Sequence, residues 1–113
     1  MKLNSFNNLA FNEDKVVTKV VLESSFSKEI AILMKSGQLM KEHKAPFPII
    51  VHVLKGEIDF GTQGNNQSLK EGDIITLLSN VSHDLFARRD SVVRLTLSKL
   101  DKAERVERVL VTP

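Results

Sequence analysis

Three histidines, at positions 43, 52 and 83, are the side chains best suited to chemistry in this 113-residue chain, which contains no cysteine. A neutral imidazole accepts hydrogen bonds, exchanges protons near neutral pH and ligates transition metals. His43 and His83 each sit in a glycine-led stretch, GQLMKEHKAPFPIIVHVLKG over 37–56 and GDIITLLSNVSHDLFA over 72–87. Both stretches set their histidine among residues suited to β-strands, so two strands are expected to bring His43 and His83 together. His52 belongs to the strand that starts at Ile49. Alternation places Ile49, Val51 and Val53 on one face of that strand and His52 on the other, where it is expected at a sheet or subunit contact.

No other pattern competes with these histidines. The sequence lacks a Gly-x-Ser-x-Gly elbow, a phosphate loop and a Cys-x-x-Cys pair, which leaves hydrolase, nucleotide-binding and thiol-redox readings without residues to carry them. Sixteen Lys and Arg against fourteen acids give a net charge of +2. They are scattered rather than gathered in a block, which argues against a nucleic-acid partner held by electrostatics. Arg88-Arg89 is read as a solvated turn, because no glycine-rich nest or helix start accompanies it. Without cysteine the fold must hold by core packing, and a reducing compartment fits best. The first residues, MKLNSFNNLAFNEDK, lack an uninterrupted apolar segment with a cleavage site, and no stretch approaches the roughly 20 apolar residues of a membrane span. A cytoplasmic protein with no membrane partner is expected.

The elements that must position the histidines are short and β-like. Residues 1–14 form an irregular arm whose Leu9 to Phe11 cluster docks on the body, ending in an Asn-Glu-Asp turn. Residues 15–22 and 28–35 read as strands from their β-branched and apolar content, and apolar residues occur on both faces of each. Pro46 and Pro48 exclude helix and hold their neighbours extended. Strands follow over 49–54, 57–60, 74–78, 83–88 and 92–97, with 61–66 as a turn-rich loop and 68–70 as a short segment. Glycine at 72 frees the Glu71-Gly72-Asp73 turn to take positive φ. Eight or more short strands without a long helical pattern between them indicate one antiparallel sandwich or barrel. After Leu100 the period changes. Leu100, Ala103, Val106 and Leu110 share a helical face, so a short C-terminal helix is expected in the tail 100–113.

Taken together, the two glycine-led stretches resemble the paired motifs of the cupin family. In the first, Gly37, His43 and Gly56 stand at the family's spacing, and in the second, Gly72 and His83 do. Val53-Leu54-Lys55-Gly56-Glu57 is similar to the family's strand-end turn, and Lys70-Glu71-Gly72-Asp73 to the opening of its second motif. The resemblance covers roughly residues 28–98. It implies an all-β jelly-roll barrel, a single domain over 1–113 with its core at about 15–99, and a homodimer. The apolar residues on both faces of the first two strands agree with a covered outer face. The family's metal is held by two histidines and a glutamate of the first motif and the histidine of the second. Here Ala45 and Ile49 occupy the second-histidine and glutamate positions, leaving His43 and His83. In the second motif Leu78, Asn80 and Ala87 replace the family's proline, glycine and asparagine.

Two imidazoles are fewer than the three protein ligands common in catalytic zinc and non-haem iron sites. The leading expectation is therefore a mainly apolar small-molecule pocket without a tightly bound catalytic metal. His43, His83, Ala45, Ile49, Val51 and Leu95 line it, and Phe47 stands at its mouth. Val53, Leu85 and Leu97 also project inward and fill the core. Two alternatives stay open. One is a metal-dependent enzyme, dioxygenase- or isomerase-like, that holds iron, manganese, nickel or zinc on His43 and His83. The other is a ligand-sensing regulatory or interaction module.

Overall fold

The computed structural model describes residues 1–99, and among these nine strands form two antiparallel sheets. In chain order they are β1 (Val17–Glu23), β2 (Ser27–Met34), β3 (Leu39–His43), β4 (Ile49–Lys55), β5 (Glu57–Thr62), β6 (Asn65–Lys70), β7 (Ile74–Leu77), β8 (His83–Ala87) and β9 (Ser91–Ser98). One sheet has the order β1-β2-β9-β4-β7 and the other β3-β8-β5-β6. Neighbours in space are often distant in sequence, the connectivity of a jelly roll. The helix expected after Leu100 lies outside the described residues.

Alternation explains what each sheet buries. On β4, Ile49, Val51 and Val53 point inward and are buried, while Ile50 is exposed and His52 half-buried on the opposite face. His52 pairs across the sheet with Arg94 of β9 and Ile74 of β7. Ile32, Met34 and Val93 join the inward set of β4 from the same sheet. Ile58, Phe60, Leu69, Leu85 and Ala87 meet them from the opposite sheet. Each of these side chains other than Ala87, fully buried, contributes about 1.5–3 kcal/mol.

The second strand buries both faces. Ala31 and Leu33 turn outward into a second cluster with Val21, and Phe6, Leu9, Phe11, Val17 and Val92 pack over it. The arm docks here, and its Phe6, Leu9 and Phe11 cover this outer face. The apolar pattern on both faces of β1 and β2 is thus accounted for within one chain. A buried carboxylate lies on this face as well. Glu29 accepts from Ser27 Oγ (2.7 Å), Arg94 Nε (2.9 Å) and the Thr96 hydroxyl.

Two details depart from the sequence reading. The segment 61–66 is a tight hairpin rather than a loop: β5 runs to Thr62, Gln63 and Gly64 both take positive φ (49° and 80°), and β6 starts at Asn65. Two consecutive left-handed residues match the twist of the strands they join. The β6 strand escaped notice because Asn65, Asn66, Gln67 and Ser68 are all exposed, so no apolar alternation marks it. Strict alternation holds on β1 as far as Val21, which joins Val17 in the outer cluster, and fails beyond it, where the register with β2 shifts between Val20 and Leu22 and pairs Leu22 with Glu29.

Candidate functional site

His43 ends β3 and His83 begins β8, and the two are direct partners across the antiparallel pair. Their ring centroids are 4.3 Å apart with the planes tilted by 60°. A register shift between Met40 and His43 adjusts β3 so that Met40, packed on the core, and His43 both reach the interior. His83 is buried at 3% exposure and stacks on Phe60, with centroids 5.5 Å apart and planes 12° from parallel. The turn ahead of it is fixed by two bonds. Thr62 Oγ1 donates to the Ser82 carbonyl (2.8 Å), and the Asn80 amide donates to the Ala45 carbonyl (2.8 Å).

The two rings are held in the same way. His43 Nδ1 lies 2.8 Å from the Lys41 carbonyl, and His83 Nδ1 lies 3.0 Å from the Val81 carbonyl. A carbonyl oxygen only accepts, so Nδ1 of each ring carries the hydrogen and Nε2 of each neutral ring keeps its lone pair. Burial pushes the pKa of His83 below its ordinary value. The Val81 carbonyl raises it, His43 lowers it and Asp84 raises it, with a net downward result. The neutral form is favoured because burial penalises a charged ring more than its neighbours reward it.

Both histidines line a cavity of about 420 Å³ between the sheets, within the size range of small-molecule sites. Ile49 of β4, Leu95 and Leu97 of β9, and Ile30 and Ile32 of β2 supply its apolar wall. Ala45 and Pro46 close it beside β3, and the exposed residues Thr18 and Val20 of β1 stand at its mouth. Among the described residues no acidic side chain lines it. Of the residues expected at the site, the structure brings His43, His83, Ala45, Ile49 and Leu95 together here. Val51, at 1% exposure, lies deeper, packed between the sheets. Phe47 is half-buried and falls outside this lining.

Thr18, Val20, Ile30, Ile32 and Met40 escaped the sequence reading. The signal existed in part: Ile30 and Ile32 alternate with the outward Ala31, and Thr18 and Val20 pair with them across β1 and β2. What the sequence could not supply is that β1 and β2 join the sheet of β4 and β9 rather than the other one.

The description "AraC-like ligand binding domain" fits a family model that matches residues 29–103. The chain belongs to that family, which is of the cupin type. Solved structures agree on the fold. An RmlC-like cupin protein from Desulfovibrio desulfuricans superposes with a TM-score of 0.78 at 22% identity, covering 87% of this chain and 95% of that one. A cupin superfamily protein from Desulfitobacterium hafniense gives 0.76 at 12% identity, covering 87% and 90%. KdgF from Halomonas sp. gives 0.71 at 20% identity, covering 79% and 84%. No curated protein matches the chain.

Asn80 stands where the family has a glycine, and its φ is 62°. Asparagine is one of the few residues with a side chain that tolerate this left-handed conformation, so the turn that delivers His83 survives the replacement. The metal ligands do not survive. Ala45 and Ile49 present aliphatic surface to the cavity, and Asp84 lies against Gly61 on the outer face of β5. Among the described residues no group of three or more His, Cys, Asp or Glu side chains could hold a metal ion. Two imidazoles alone do not fit the metal that the family's four-ligand motif implies. Arg88 and Arg89 pair with Asp59 and Glu57, which leaves them no role at the cavity.

Proposed function

We propose that this cupin-type domain binds a small, mainly apolar organic molecule in the cavity between its sheets, without a tightly held catalytic metal. The observation that carries this reading is the lining itself: an aliphatic wall from the sheet of β1, β2, β4 and β9 faces two imidazoles from the opposite sheet, whose centroids are 4.3 Å apart. Such a site combines apolar contact area with a small number of placed polar groups, the composition of small-molecule pockets. His43 and His83 supply the polar contacts; Ala45, Ile49 and Leu95 supply shape. The absence of cysteine is compatible with a cytoplasmic setting, and no helix among the described residues is long and apolar enough to cross a membrane.

Elemental analysis together with native mass spectrometry tests the reading. We expect protein purified without added metal to carry no stoichiometric transition metal and to retain or accept a small organic molecule. Stoichiometric metal that is lost on His43→Ala would overturn it in favour of a metal-dependent cupin enzyme. The family match to a ligand-binding domain favours one further possibility, that occupancy of the pocket is read out as a signal. A ligand-dependent change in assembly state, measured by light scattering on the whole chain, is the expected sign; unchanged assembly at saturating ligand counts against it.

A further inference from the structure

The polar groups inside the cavity are unusual in being all of one kind. Lys19 and Lys44 contribute to its lining, but their side chains belong elsewhere. Lys19 pairs with Ala31, whose side chain packs in the outer cluster, so the Lys19 side chain shares that outer face. Lys44 stands just past the end of β3 and is exposed to solvent. The polar side chains left facing inward are the two imidazoles, with the Thr18 hydroxyl at the mouth. Each imidazole has its Nδ1 hydrogen committed to the carbonyl two residues before it, Lys41 for one and Val81 for the other. What remains is a pair of Nε2 lone pairs in an apolar cavity to which the described residues contribute no acid and no buried cation.

From this geometry we infer that the ligand is a small uncharged molecule with an apolar body and hydroxyl groups, whose O–H donors are received by Nε2 of His43 and of His83. The inference rests on the cavity being the binding site, as proposed above. A hydroxyl satisfies an acceptor that an apolar ligand would leave dry and unpaired, which is costly. A carboxylate would instead aim its own lone pairs at those of the rings. An ammonium would give up its hydration in a cavity with no carboxylate to compensate it.

The test uses cyclohexane derivatives at about pH 8, where histidine is ordinarily neutral. Binding is followed by long-range proton–nitrogen spectra of the imidazoles. In the free protein both rings should show hydrogen on Nδ1; a ring with its hydrogen on Nε2 overturns the proposal. Cyclohexanol should bind about tenfold more tightly than methoxycyclohexane, the worth of one hydrogen bond, and cyclohexanediol should exceed cyclohexanol by a similar factor. His43→Leu, which keeps an aliphatic shape at a half-buried position, should bring the diol down to the level of the single alcohol. Equal binding of the alcohol and its methyl ether, or tighter binding of cyclohexanecarboxylate, overturns the hydroxyl inference while leaving the pocket reading intact. If no cyclohexyl compound perturbs either ring, the pocket reading falls, and the inference falls with it.

Discussion

Rebuilding the family's missing ligands tests the site geometry most directly. Ala45 and Ile49 line the same cavity as His43 and His83, at the positions where cupins carry a histidine and a glutamate. In Ala45→His/Ile49→Glu the new carboxylate replaces a side chain that is only 3% exposed. Losing the buried isoleucine costs about 1.5–3 kcal/mol, and a carboxyl group in its place adds a desolvation penalty of at least ~1 kcal/mol. For a domain of this size each kcal/mol moves Tm by roughly 4–8 °C, so the metal-free variant should melt at least ~10 °C below the parent in EDTA. Zinc or manganese should reverse this. A ligand at a hundred times its Kd stabilises the folded state by about 2.7 kcal/mol, enough to recover most of the loss. Differential scanning fluorimetry with and without metal, and titration calorimetry, read both effects. Because the double variant is burdened, Ala45→His alone serves as the milder probe, with a smaller but metal-dependent rise in Tm. If neither variant gains stability or affinity from metal while both fold, the four side chains do not converge and the site described above is wrong.

Two further outcomes bear on the frame that holds the site. Gly56 has φ of 92°, and a Cβ there would lie 2.6 Å from the Asp90 carbonyl and 2.8 Å from Ser91 Cα. Left-handed strain of about 1–2 kcal/mol plus a clash with backbone should make Gly56→Ala cost about 3 kcal/mol or more in urea unfolding. Gly64→Ala has the same strain and open space around it, so it should cost only about 1–2 kcal/mol; similar losses for the two would refute the contact argument. Glu29 supplies a pH dependence. Burial pushes its pKa up, but the hydrogen bonds from Thr96, Ser27 and Arg94 outweigh burial and hold it below its ordinary 4.5. A lowered folded-state pKa adds stability that is fully present above the unfolded value and is lost as pH falls from about 4.5 through the folded value. Glu29→Gln should therefore lose stability at pH 7 and show a flatter acid limb in Tm against pH; an unchanged slope would rule out Glu29 as a source of acid sensitivity.

The fold was legible because it is written in periodicities that one sequence displays. Residues 49–54 have the apolar content of a strand buried on one face and partly covered on the other, and the glycines at 37, 56 and 72 punctuate the strands around them. What stayed hidden follows a physical rule as well. The strand over 65–70 is stabilised by its backbone register with β5 and exposes nearly every side chain, so hydrophobic patterning cannot reveal it. The apolar outer faces of β1 and β2 were visible, but their cover was not. Whether a partner or the chain's own arm buries such a face depends on where Phe6, Leu9 and Phe11 lie in space, and a short irregular segment carries no period from which that could be read.

The site shows the same division, with a consequence for how its chemistry is judged. The two glycine-led, strand-like stretches were enough to expect His43 and His83 brought together, and the two are direct partners. Residue identity alone then removed two of the family's four ligands, since no fold can make a ligand of Ala45 or Ile49. What neither spacing nor identity could supply is the direction of each ring. Nδ1 of each ring is held by the carbonyl two residues upstream, Lys41 for His43 and Val81 for His83, and β3 shifts register between Met40 and His43 beside the first of these contacts. The backbone thereby sets the tautomer of both rings and leaves both Nε2 atoms for whatever enters. In a site with four ligands that arrangement would orient imidazoles toward an ion. With two of the four replaced by aliphatic carbon, the same backbone presents a pair of acceptors in an apolar cavity, so the scaffold for coordination is kept while its chemistry becomes hydrogen bonding.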